Sequence, residues 1–161
     1  MLFRSRREGN VLKVGFEQIA YTATIALNIT DSYIGFTLKA LDYHIEAFGV
    51  KRKTEVDEFT LLQLPIKKRT YFGEWLNVVW DNKVAVNVLA TDPYAKIDAF
   101  PAKNHYLLYA GMENKVKLMG VGAALITTSK DKLLDRIDQL EKDYQLPLGV
   151  ESRRNKAYKY S

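Results

Sequence analysis

Asp98, Glu113 and Lys115 are residues whose types and spacing suit phosphodiester chemistry. Asp98 sits in the apolar run KIDAF, and Glu113-Asn114-Lys115 follows a second run, HYLLYAGM. Hydrolysis assisted by a hard cation needs oxygen ligands, which carboxylates supply. The cation and a neighbouring ammonium group lower the pKa of the attacking water and offset transition-state charge. Side chains two apart on a strand share a face. Glu113 and Lys115 would then point to one site while Asn114 turns away, and Asp98 on the preceding strand would meet them across the ladder. Glu113-Asn114-Lys115 equally has the composition of a polar turn between apolar runs, with Asp98 a hydrogen-bonded structural residue.

Other chemistry-bearing patterns are sparse. Gly120 and Gly122, followed by an apolar run, could turn backbone N–H groups towards a pyrophosphate; equally they could allow close packing or a bulge. His44 and His105 have no metal-ligand spacing. The absence of cysteine excludes disulfides, thiolate metal sites and a Cys nucleophile.

Twenty-four Lys and Arg face 19 Asp and Glu in 161 residues. The excess is clustered at Arg4, Arg6 and Arg7; at Lys51, Arg52 and Lys53; at Lys67, Lys68 and Arg69; and at Arg153, Arg154, Lys156 and Lys159. Such clusters neutralise phosphates and release counterions, which makes nucleic acid the expected partner, DNA ahead of RNA. Solvated basic loops would look the same. Tyr158 and Tyr160 alternate with Lys159 and could stack on bases. Neither a bilayer-spanning apolar run nor a secretory leader is visible, so an intracellular protein with no membrane partner is expected.

The pattern of elements is α/β. Residues 1–10 read as a basic arm. Ile19–Ile29 alternates with period two and reads as a strand. Thr30 or Asp31 would cap a helix over 31–48 whose face is Ile34, Leu38, Leu41, Ile45 and Phe48, stopped by Gly49. FTLLQLPI is a short apolar segment ended by Pro65, and residues 73–83 are open between a helical turn and a strand entering a hairpin. Val84–Ala90, Lys96–Phe100, Tyr106–Met112 and Leu146–Val150 read as strands of one central mixed sheet. A helix over 130–144, capped by Ser129, carries Leu133, Ile137, Leu140 and Tyr144. Residues 1–161 read as one domain, with 152–161 a basic tail.

The Asp98 and Glu113-Asn114-Lys115 segments together resemble the PD-(D/E)xK nuclease superfamily. KIDAF is similar to its Asp-bearing strand, HYLLYAGMENK to its Glu-x-Lys strand, and GAALITTSKDKLLDRI to the loop and helix that follow. The resemblance covers about residues 73–151. It implies a restriction-endonuclease-like core, a mixed sheet flanked by helices, with an N-terminal strand-helix extension. It also implies a DNA endonuclease or junction resolvase dependent on Mg²⁺ or Mn²⁺. Asp98, Glu113 and an accessory Glu74 would hold the metal, Lys115 would act on water or phosphate, and a homodimer would be formed. A different class, a basic DNA- or RNA-binding or virion-associated protein without catalysis, fits the same charge. The glycines resemble, more loosely, those of GNAT acetyltransferases.

Overall fold

The computed structural model describes residues 3–44 and 53–146. The described residues are mostly β-sheet (56%) with little helix (13%, 3-10 turns included), so helix and strand both occur but strand carries the architecture. No helix among the described residues is long and apolar enough to cross a membrane.

Two meanders are joined into one sheet by a strand that comes later in the chain than either. The first comprises β1 (Phe3–Glu8), β2 (Val11–Phe16), β3 (Tyr21–Ile29) and β4 (Ile34–Tyr43). The second comprises β6 (Tyr71–Gly73), β7 (Val78–Trp80) and β8 (Val84–Ala90), and β11 (Gly122–Ser129) inserts between β4 and β8. The order is β1-β2-β3-β4-β11-β8-β7-β6. A second sheet, in the order β5-β10-β9, is built from β5 (Glu58–Lys67), β9 (Lys96–Pro101) and β10 (His105–Glu113). The expected single mixed sheet is corrected on two counts. Among the described residues the strands are divided between two sheets, and every pairing is antiparallel. Most neighbouring strands are joined by short turns, which permit only antiparallel pairing.

The helix expected over 31–48 is a strand through Tyr43. Thr30 does act as a cap, its hydroxyl accepting the N–H groups of Ser32 and Tyr33, but the turn it closes joins β3 to β4. Gly49, Ile45 and Phe48 lie outside the described residues. The expected basic arm is also a strand: β1 pairs with β2 along its whole length, through a two-residue turn in which Gly9 has φ 58. Pro65 does not end its segment. β5 is an edge strand of the small sheet, where the missing N–H is tolerated. Of the two alternatives for 73–83 the strand is found: β7 enters a hairpin with β8 at 81–83, and the turn that leads into it from β6 holds Asn77 at φ 51. The hairpin joining β9 to β10 and the helix near 130–144 agree with expectation; α1 is Leu133–Asp143, preceded by a 3-10 turn over Lys130–Lys132. Ser129 is the last residue of β11 and makes no side-chain cap bond. The strand expected at 146–150 lies, from residue 147, outside the described residues, as does the 152–161 tail.

The small sheet packs across one face of the large one. Leu62, Ala99, Leu108 and Ala110 meet Val79, Val86, Val88 and Ala123. Further along, Phe59 and Met112 meet Ala23, Ile25 and Leu38. On the opposite face α1 covers β11, with Leu140 against Ala124, Ile126 and Tyr33. The Tyr33 hydroxyl donates to Asp143 Oδ2 at 2.7 Å. Burial, and then that bond, push the phenol pKa up.

Two substitutions test this packing. Leu108→Ala empties a fully buried site between the sheets and should cost about 2–5 kcal/mol. At the β4–β11 seam a Cβ on Gly122 would stand 2.5 Å from the Phe36 carbonyl oxygen; Gly122→Ala should cost about 1–3 kcal/mol. Urea unfolding of each variant measures both.

Candidate nucleic-acid interface

Asp98 and Glu113 lie on adjacent strands, as the sequence suggests. Ile97 and Ala99 turn into the core, so Lys96 and Asp98 face outward. In the β9–β10 ladder Asp98 is opposite Tyr109, and Lys96 is opposite Gly111. Glu113 is four residues beyond Tyr109, so the two carboxylates are offset by roughly 13 Å along the strand. Asp98 Oδ1 accepts the N–H of Ala99 at 2.9 Å. Glu74 is exposed in the β6–β7 turn, on the other sheet. These three side chains do not form one ligand set. Among the described residues, no three His, Asp or Glu side chains gather closely enough to hold a metal ion.

Glu113 does meet Lys115, through the turn rather than across a strand face. β10 ends at Glu113, whose carbonyl accepts the N–H groups of Val116 and Lys117. Its carboxylate bonds Lys115 Nζ at 3.1 Å and Lys96 Nζ at 3.4 Å. The two ammonium groups, Lys115 first, hold the Glu113 carboxyl below its ordinary pKa, and Glu113 in return raises that of Lys96. Lys96 was missed by sequence reasoning. The alternation that links Glu113 to Lys115 would have found it, since Lys96 is two residues before Asp98.

The glycine pair precedes a strand. Gly120 has φ 80 and donates its N–H to the Leu38 carbonyl, and Gly122 begins β11. Neither stands at a helix N-terminus.

The basic clusters differ in how they are neutralised. Arg4 pairs with Glu17 at 2.9 Å and Arg6 with Glu8 at 2.8 Å, while Arg7 Nε donates to the Gly9 carbonyl. Lys53 lies over the Tyr43 ring. Lys51, Arg52, Arg153, Arg154 and Lys156 lie outside the described residues. Arg69 is held by Asp81 at 3.1 Å. The Asp81 carboxyl lies below its ordinary pKa because it accepts the N–H groups of Val84 and Lys83, with Arg69 adding to the effect.

Lys67 and Lys68 are placed differently. Lys67 ends β5 directly opposite His105, at the start of β10. The adjoining β9–β10 turn, closed by Ala102 N–H to the His105 carbonyl, carries exposed Lys103. Lys68 Nζ stands 5.4 Å from the centre of the Tyr106 ring, which stacks on Phe72 at 4.2 Å. No Asp or Glu occurs from Leu64 to Phe72 or from Ala99 to Met112. This end of the small sheet is therefore basic, with aromatic rings between its cations. Lys103 also escaped the sequence reading, because one lysine in a turn forms no run; only the β5–β10 register, which sets Lys67 opposite His105, brings that turn to the same end of the sheet as Lys67.

Comparison with protein-family models, with curated proteins and with solved structures finds no match.

The paired ammonium groups make Glu113 a test of the geometry. Its carboxyl should titrate below the ordinary glutamate value in a carbon-13 NMR titration. Lys115→Met should raise it more than Lys96→Met. A depressed carboxyl pKa stabilises the fold above the unfolded value. That contribution should be lost only as pH falls below about 4.

Proposed function

We propose that this protein binds a nucleic-acid strand without cleaving it, through the basic end of the small sheet. The observation that carries this reading is the grouping of Lys67, Lys68 and Lys103 in two segments free of carboxylates, beside Phe100, which is 46% exposed. Lysines along a surface neutralise successive phosphates, and an exposed ring offers a face on which any base can stack. The β1 arginines lack this character because two of the three have a carboxylate partner on their own meander. Sequence-tolerant binding of single strands, DNA being the first ligand to try, is the activity such a surface supports.

A second reading, the Mg²⁺-dependent nuclease, rests on Lys96, Asp98 and Glu113 sharing the outer face of one sheet. Supercoiled plasmid incubated with Mg²⁺, with Mn²⁺ and with EDTA separates the two. Metal-dependent nicking that Asp98→Ala abolishes would establish the nuclease and sink the non-catalytic reading.

Fluorescence anisotropy with a labelled single-stranded oligonucleotide tests the binding surface. Each phosphate contact contributes about 0.7 to the slope of log affinity against log salt on single strands. Lys67→Gln with Lys68→Gln and Lys103→Gln should therefore flatten that slope by about 2 and weaken binding at least about tenfold. Phe100→Ala should cost about 1–3 kcal/mol and leave the slope unchanged. An unchanged slope in the triple variant, or no salt-dependent binding by the native chain, would overturn the proposal.

A further inference from the structure

We propose that the free edge of the large sheet, at β6, is a self-association surface on which a second copy of this chain docks. Three observations converge there. The first is apolar exposure. Trp75 is 97% exposed at the tip of the β6–β7 turn and Leu76 beside it 68%; Tyr71 is 52% and Leu134 56%. Leu76, Trp80 and Leu134 line a groove of about 350 Å³ between β7 and the start of α1. Tyr71 stacks on Trp80 at 5.4 Å. An aromatic side chain carries about 150–250 Å². With the two leucines, the patch reaches the several hundred Å² that mark an interaction site on a soluble chain. That is most of the apolar share of one partner's roughly 800 Å² in a stable dimer.

The second is the open ladder. Among the described residues no strand pairs with the outer side of β6. Its backbone can be extended by an antiparallel copy of itself, which is the pairing a twofold axis produces.

The third is self-complementarity in Arg69-Thr70-Tyr71-Phe72-Gly73-Glu74-Trp75. A twofold axis through Phe72 puts Tyr71 opposite Gly73 of the second copy, Thr70 opposite its Glu74, and Arg69 opposite its Trp75. The ladder itself covers Tyr71 to Gly73, and the outer pairs flank it. Val78 and Trp80 already cover Gly73 within the chain, so the incoming Tyr71 ring would extend that apolar cover across the new strand pair. A hydroxyl meets a carboxylate, and a guanidinium meets an indole. The groove also carries Lys130 beside Asp131, one charge of each sign. Asp81 offsets Arg69 and Asp131 stands with Lys130 in the groove, which leaves Glu74 and no excess of positive charge to draw a phosphate backbone or an anionic membrane, so a copy of the chain is the better occupant. The dimer does not depend on nucleic-acid binding, because Lys67, Lys68 and Lys103 are not used in it.

Analytical ultracentrifugation of the full chain should show a monomer–dimer equilibrium, with an upper mass of twice 18.5 kDa. Trp75→Ser with Leu134→Glu should raise its dissociation constant about 30-fold or more, with the circular dichroism spectrum unchanged. The chain has no cysteine. Oxidation of a Thr70→Cys, Glu74→Cys variant should therefore yield a disulfide-linked dimer. Within one chain these positions flank β6 and stand roughly 13 Å apart, too far for a bond. Should the Leu134→Glu variant fail to fold, the crosslink alone decides. A mass of 18.5 kDa at every concentration, a dimer indifferent to the Trp75 and Leu134 changes, or oxidation without a crosslink would each overturn the proposal.

Discussion

Strand β11 must pass between two meanders that are otherwise unconnected within the sheet, and two layers must close on it from opposite sides. Its residues answer that constraint through size. Ala123 faces the small sheet and Ala124 faces α1, both fully buried. Methyl groups at these positions let a three-stranded sheet and a helix approach one strand closely on its two faces, where larger side chains would hold one layer away. Leu125 and Ile126, next along the strand, pack on the same two sides, Leu125 toward the small sheet and Ile126 toward α1.

The same arrangement ties distant parts of the chain together. Ile34 pairs with Leu125, and Val84 with Ser129, so the sheet is incomplete until β11 arrives. Until then the β4 and β8 edges are exposed, which makes folding slow for a domain of this size. Helix α1 follows at once and clasps the seam. Its end reaches the β3–β4 turn through Asp143 and Tyr33, while Arg136 donates to Ser32 Oγ at 3.1 Å. The hairpin of the first meander and the helix thus hold β11 between them.

What the sequence disclosed follows from how regular each element is. The β9–β10 hairpin and α1 were legible because each keeps one period throughout. β4 was not. Ile34, Phe36 and Leu38 alternate as a strand should, but Leu41 and Tyr43 resume on the opposite count. The structure gives the cause: the β3–β4 register slips between Thr24 and Ile25, where a bulge adds a residue to β4. One inserted residue turns a period of two into spacings of four and three, which is the signature of a helix. The candidate site was legible to the same depth. Two adjacent strands bearing Asp98 and Glu113 were readable, but their offset was not, because a ladder's register is written in its partner and its turn rather than in either strand.

That register also decides what the outer face of the small sheet can do. Sliding β9 by four residues would bring Asp98 beside Glu113, yet it would carry Ile97 and Ala99 out of contact with Leu108 and Ala110 in the main core. The apolar face fixes the polar one. Glu113 is left with Lys96 and Lys115 as its partners. At the other end of the same strands, among the described residues, Lys67, Lys68 and Lys103 make no ion pair. The antiparallel pairing of β10 with β5 and β9 thus separates an end where lysines and a carboxylate neutralise one another from an end that carries lysines alone.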